Sequence, residues 1–252
     1  MTELVEKKTI AVLGCGEIGT PLYRLSRGGY AQVLAIDRLL EPPSEPLYEV
    51  EALHIAIPGV LEDFVSIVSD HIKKYDPNVV MVHATTPPGT TAKLVDLHGA
   101  EVVVHSQVHG KHHGNRMQRD MLHHKKFVGT TSDAAFKKAK KVLVTMGHAP
   151  DEIKRLSSTT AGEVAKLLAT TFFGYLVVWT QEVERISAKS GIPYEDLMVF
   201  TELETADFDI KGKSPGYIGG HCVMPNIDLL SQFSKSPLWD FTIESNELKG
   251  KS

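Results

Sequence analysis

Six residues near the amino terminus, Gly14-Cys15-Gly16-Glu17-Ile18-Gly19, constrain the fold more than any other stretch. They follow directly on the β-branched run KTIAVL and open an amphipathic segment, so the chain must leave a strand, turn sharply and enter a helix. Glycines at this spacing permit a tight turn, a close approach of backbone to a ligand, and close packing of helix on strand. The start of the helix, with its N–H groups not yet paired, then suits an anionic pyrophosphate.

The runs AQVLAID, ALHIAIP, NVVMVHATT and AEVVVHSQ repeat the strand signal, and most are separated by helix-length segments such as Leu61–Lys74. KFVGTT and DEIKRLS supply two further strands around the amphipathic segment Ala134–Met146. This alternation implies an α/β fold, a Rossmann-like doubly wound parallel sheet occupying residues 1–157. Beyond Ser157 the pattern turns helical. Gly162–Lys189 reads as one long central helix, stopped by Gly191 and Pro193, and Pro193–Phe208 with two short helices completes a small all-helical domain over 158–252. The stretch LLATTFFGYLVVW, Leu167–Trp179, is apolar on nearly every face, and a second copy of the chain is the simplest cover, which makes a homodimer the expectation.

Asp37 ends the second strand where a carboxylate can accept hydrogen bonds from the adenosine ribose hydroxyls, which favours NAD over NADP by charge repulsion of a 2′-phosphate. Arg38, next in sequence, pulls the other way. The expected cofactor set is Gly14, Gly16, Glu17, Ile18, Gly19, Asp37, Arg38 and Pro58, with Cys15 as a small buried residue of the turn.

A formal charge of −4 with mixed signs along the chain offers no broad basic surface for nucleic acid. No unbroken apolar run approaches the roughly 20 residues of a bilayer span, and MTELVEKKTI lacks the apolar core of a signal peptide, so a cytoplasmic protein without a membrane partner is expected. The two cysteines then read as free thiols.

ATTPPGTTAKLV after the fourth strand, AGEVAKLLATTF on the long helix and GYIGGHCVMPN near the end together resemble the nucleotide-sugar 6-dehydrogenases, the UDP-glucose and UDP-N-acetylmannosamine dehydrogenases. The resemblance covers the first two of that family's three domains; the third, nucleotide-binding domain has no counterpart in these 252 residues. It implies NAD-dependent oxidation and a dimer. It also implies that Cys222 attacks the aldehyde stage of a sugar, that Lys166 supports the oxyanion or orders water, and that Thr85 lies near the nicotinamide. Independently, hydride removal from an alcohol needs a group to take the hydroxyl proton, and a lysine whose pKa is lowered by burial serves. A central-helix lysine is also a feature of the more distant β-hydroxyacid dehydrogenases.

The departures are specific. Thr170 stands where the family has asparagine four residues after the lysine, and Asn226 where it has aspartate four residues after the cysteine. After the fifth strand the chain reads HSQVHGKHHGNRMQRDMLHHKK instead of a PEF segment with a glutamate. His105, His109, His112, His113, His123 and His124 are interleaved there with Lys111, Arg116, Arg119, Lys125 and Lys126, a cationic loop at a strand's carboxyl end. Such a loop suits a small anionic substrate carrying phosphate or carboxylate, with His109, Lys111, His112, Thr170, His221 and Asn226 as its expected contacts. No carboxylate or cysteine joins these histidines at a zinc spacing, so no metal is assigned.

Three readings follow. In the first, an NAD-dependent dehydrogenase acts on a hydroxyl or aldehyde of a small anionic substrate such as a sugar derivative, with Lys166 as base or oxyanion partner and Cys222 as nucleophile or close contact. The second is a two-electron hydroxyacid-type dehydrogenase without covalent cysteine chemistry. The third is a dinucleotide-binding sensor or regulatory subunit, which Thr170 and Asn226 keep open.

Overall fold

The computed structural model describes residues 6–41, 43–110, 116–204, 215–219 and 222–250. The chain divides into two compact units, Met1–Val164 and Ala165–Ser252. The first holds a seven-stranded sheet built from all seven runs named above: β1 (Glu6–Leu13), β2 (Tyr30–Ile36), β3 (Val50–Ile55), β4 (Val79–Val82), β5 (Val103–His105), β6 (Lys126–Gly129) and β7 (Ile153–Leu156). Their order across the sheet is β2-β1-β3-β4-β5-β6-β7, which puts the reversal of strand order between β1 and β3. In an open sheet of this kind, that reversal is where ligands settle, outside the carboxyl ends of the strands.

Helices α1 (Gly19–Ser26), α2 (Phe64–Tyr75), α3 (Thr90–His98), α4 (Arg116–His123) and α5 (Asp133–Thr145) cover the sheet. Every residue of β3 and of β4 is buried, because both faces of the sheet carry a core. On one face Val12, Ala52, Met81 and Val104 pack with Leu22, Ala139 and Leu143 of α1 and α5. On the other, Leu13, Leu53, Val80 and Val82 pack with Phe64, Val68 and Leu94 of α2 and α3. Strands one residue out of phase thus feed two cores, which explains why these runs read as continuous apolar blocks instead of alternating ones.

The sheet is not parallel throughout. β5 and β6 pair antiparallel, with His105 opposite Gly129, while the other neighbours are parallel. The connection through α4 returns the chain to the end of the sheet it had left. There the Lys126 ammonium donates to the carbonyls of Ser106 at 2.8 Å and Gln107 at 2.5 Å, tying the start of β6 to the exit of β5.

The long helix α6 (Thr159–Ser190) starts slightly earlier than its apolar pattern predicts, and Gly191, at a φ of 70°, ends it. It is followed by α7 (Tyr194–Glu204), α8 (Val223–Phe233) and α9 (Pro237–Gly250). In the second unit Val178 of α6, Ile218, Val223 and Ile227 form a small core against which Trp239 and Ile243 of α9 pack. Leu168, Phe172, Phe173, Trp179 and Ile186 of α6 remain exposed. By length and composition alone α6 could cross a membrane, its most apolar window having a mean hydropathy of 1.3, a property that core helices of soluble proteins share.

Candidate functional site

The three glycines of the first turn do three different things. Gly14 has a φ of 90°, and a side chain there would meet the backbone of Ala56 and Ile57 at 2.8–2.9 Å, so the turn rests directly on the exit of β3. A side chain on Gly19 would overlap the carbonyl oxygen of Gly14, which is why α1 can start against the turn. Around Gly16, in contrast, a side chain would meet nothing within 4 Å. The first and third glycines serve packing, and the second leaves backbone bare toward open space. No side chain caps the N-terminus of α1. Bare backbone beside an uncapped helix start fits a pyrophosphate.

Asp37 closes the turn from the side. Its carboxylate accepts from the Cys15 N–H at 2.7 Å and from the Leu39 N–H at 3.0 Å, one bond to each oxygen. These two bonds, first that from Cys15, hold its pKa below the usual carboxylate range despite some burial. Each oxygen keeps a lone pair for a ribose hydroxyl. Cys15 is half-buried, and burial, with the Asp37 charge second, pushes its thiol pKa up; it is a small residue of the turn and no nucleophile. Glu17, Arg38 and Pro58 are exposed, and Ile18 packs its side chain against the core of the α1 face. Beside Pro58, a side chain on Gly59 would overlap the carbonyl oxygen of Thr85, so the loops after β3 and β4 touch through backbone. Thr85 itself is half-buried.

The turn that carries Thr85 is held by a residue the sequence reading passed over. Glu163, 1% exposed in the first turns of α6, accepts from the Thr86 hydroxyl at 2.9 Å, the Gly89 N–H at 2.6 Å, and the Thr91 N–H and hydroxyl at 2.7 and 2.6 Å. A buried carboxylate is costly unless so satisfied. The available signal was a glutamate in the apolar AGEVAKLL stretch, combined with four threonines in TTPPGTT that need an acceptor.

The cationic loop is smaller than expected. His105 and Lys126 do not belong to it: His105 is buried at the end of β5, where a side chain on Gly162 would come within 2.5 Å of its Nδ1, and Lys126 is spent on backbone carbonyls. His109, His123 and His124 are exposed, with the His109 and His124 rings edge to face at 4.9 Å between centroids. Lys111 and His112 lie outside the described residues, as does His221. Among the described residues no three His, Cys, Asp or Glu side chains gather as a metal set.

Behind the loop lies a buried histidine array. His54 Nδ1 is 2.8 Å from His83 Nε2, and His83 Nδ1 bonds the Ser106 carbonyl oxygen. Because a carbonyl only accepts, His83 must carry its proton on Nδ1; its Nε2 then accepts from Nδ1–H of His54, so both rings are neutral Nδ1–H tautomers. Burial, seconded by the Lys126 charge, lowers the pKa of His54 to about 3 and that of His148 to about 4, and drives that of His83 well below normal.

In the second unit Lys166 is half-buried on α6, and its pKa is lowered by burial, while Cys222 pulls it the other way. Cys222 is exposed at the N-cap of α8. Both residues belong to the second unit. The Thr170 hydroxyl donates to the Lys166 carbonyl one turn back, at 3.0 Å. Asn226 is buried in the first turn of α8, with its backbone N–H on the Cys222 carbonyl at 3.2 Å.

A search of solved structures matches the chain to the UDP-D-ManNAc dehydrogenase of Pyrococcus horikoshii, with a TM-score of 0.72 at 19% identity, over 95% of this chain and 68% of that one. The fold is that of the UDP-sugar dehydrogenases. The UDP-glucose dehydrogenase of Pyrobaculum islandicum gives a TM-score of 0.69 at 17% identity, covering 96% of this chain and 68% of that chain. This chain therefore spans about two thirds of the length of these UDP-sugar dehydrogenases. The 3-hydroxyisobutyrate dehydrogenase of Mycobacterium tuberculosis gives 0.68 at 15% identity over 98% of this chain and 94% of its own. No family model matches the sequence, and no curated protein sequence matches it.

Proposed function

We propose that the chain is an NAD-dependent dehydrogenase acting on a hydroxyl or aldehyde of a small anionic, sugar-derived substrate. The observation that carries this reading is the division of labour among the glycines, with open space reserved above Gly16 and the Asp37 carboxylate alongside. Bound NAD would supply the hydride acceptor. This chain's residues would grip the pyrophosphate through the turn of Gly14, Gly16 and Gly19, and the ribose through Asp37. In the second unit, burial lowers the proton affinity of Lys166, which suits it to take the substrate's hydroxyl proton as general base. Cys222, exposed on the same unit, would be the nucleophile toward an aldehyde. His109 and the loop cations would neutralise the substrate's charge.

The coverage of nearly the whole 3-hydroxyisobutyrate dehydrogenase favours a second reading, a two-electron hydroxyacid-type oxidation that needs Lys166 and no covalent step. NAD reduction followed at 340 nm against panels of nucleotide sugars, sugar phosphates and 3-hydroxyacids decides between them. Two NADH per substrate, lost in Cys222→Ser, supports the covalent route; one NADH, retained in that variant, supports the second. NAD binding with no turnover on either panel would leave a sensor.

The exposed apolar side chains of α6 support a homodimer, since obligate interfaces resemble a core cut in half. Sedimentation equilibrium at micromolar concentration should show twice the 27.7 kDa chain mass; a folded monomer overturns this.

A further inference from the structure

Two amides far from each other in sequence hold Gly216–Ile218, the segment upstream of Cys222. Asn246 of α9, 3% exposed, accepts from the Ile218 N–H at 2.7 Å and donates from Nδ2 to the Ile218 carbonyl at 3.0 Å, so both backbone polar groups of that residue are paired by one side chain. Gln181 of α6, fully buried, donates from Nε2 to the Gly216 carbonyl at 2.7 Å. Its Oε1 accepts from the Ser245 hydroxyl at 3.0 Å, and Ser245 in turn accepts from Arg185 at 2.9 Å, which fixes which way the glutamine amide points. Downstream of the cysteine, Val223 packs so tightly on Gly174 of α6 that a Cβ there would sit 2.6 Å from its Cγ1. Gly216, Ile218 and Val223 are therefore anchored to α6 or α9, although the Cys222 thiol itself is exposed.

We propose that Asn246 and Gln181 are positioning residues, which hold Gly216–Ile218 so that the Cys222 thiol is presented in one place. The physical need is plain. A segment outside helix and sheet needs other partners for its N–H and C=O groups, and a nucleophile on a loop is only as well aimed as the groups that support it. The inference rests on Cys222 being the reacting thiol, and its test does not.

The rate of carbamidomethylation of Cys222 by iodoacetamide, followed by mass spectrometry of the peptide that contains it, reads the presentation of the thiol directly. Asn246→Ala and Gln181→Leu should each change that rate constant by at least about fivefold, the factor that corresponds to one ordinary hydrogen bond. Thr242→Val is the control. It removes a buried α9 hydroxyl that bonds only the Leu238 carbonyl as described, so it should lower thermal stability comparably and leave the alkylation rate within twofold of the parent. Should Asn246→Ala fail to fold, Asn246→Asp, which keeps size and acceptor but loses the donor to Ile218, carries the same expectation. Rates within twofold of the parent in the folded Asn246 and Gln181 variants would overturn the proposal. Full turnover in Cys222→Ser would instead overturn the covalent reading and leave the alkylation comparison intact.

Discussion

The Glu163 carboxylate takes two hydrogen bonds from the single residue Thr91, one from its backbone N–H and one from its hydroxyl, at 2.7 and 2.6 Å on the same oxygen. A charge at the start of the long helix thus grips the loop after β4 from below, in a setting where water cannot compete. Replacing Glu163 by Gln keeps the shape but turns an NH2 group toward donors that need an acceptor. We expect Glu163→Gln to lower unfolding free energy by about 2–3 kcal/mol, the range for a lost charge-assisted bond and an unsatisfied buried partner. Urea unfolding at neutral pH checks it; a loss below about 0.5 kcal/mol would show that the loop holds without the carboxylate.

The glycines give a prediction with opposite signs in neighbouring positions. Gly16→Ala adds a methyl group to open space, so stability should change by no more than about 0.5 kcal/mol, whereas NAD binding should weaken at least about tenfold as the methyl meets the pyrophosphate. Gly19→Ala should fail to fold, because its methyl would overlap the Gly14 carbonyl. Thermal melts with and without NAD separate the two. Unchanged NAD affinity in Gly16→Ala would remove the pyrophosphate from this turn.

Cofactor choice follows from Asp37. NAD should bind at least about tenfold more tightly than NADP, and Asp37→Ser should narrow the gap by weakening NAD and relieving repulsion of the 2′-phosphate. Calorimetric titration of both nucleotides into both proteins tests this. Tighter NADP binding to the parent would assign the decision to Arg38.

The buried histidines predict an acid limit. His54, His83 and His148 are neutral when folded, and the unfolded chain binds protons at each below its ordinary pKa of 6.5, so stability is complete above about pH 7 and falls as pH drops below 6.5 toward the folded values of about 3 for His54 and about 4 for His148, with that of His83 also well below normal. With three such groups the slope should approach about 4 kcal/mol per pH unit below pH 6, enough to unfold the protein before pH 4. His148→Gln should reduce proton uptake on unfolding at pH 5 by close to one. Calorimetry in buffers of different ionisation enthalpy measures that number directly, and an unchanged uptake would mean that His148 is protonated in the folded protein.

Periodicity and glycine spacing by themselves determined the seven strands, the long helix and its stop at Gly191, and the GCGEIG turn, because each depends on residues a few positions apart. The local signal and the final structure agree there for one reason: backbone sterics and hydrophobic period act over single turns and strands. The tertiary structure alone decided the antiparallel entry of β6 and the withdrawal of His105 and Lys126 from the cationic loop, since a side chain's burial depends on where the strand beneath it pairs. It alone paired Glu163 with Thr86 and Thr91, His54 with His83, and Asn246 with Ile218, contacts 28 to 77 residues apart in sequence. A glutamate, a histidine or an asparagine looks the same in a sequence whether it faces water or a buried donor. Only the fold, by removing the water, makes its partner obligatory.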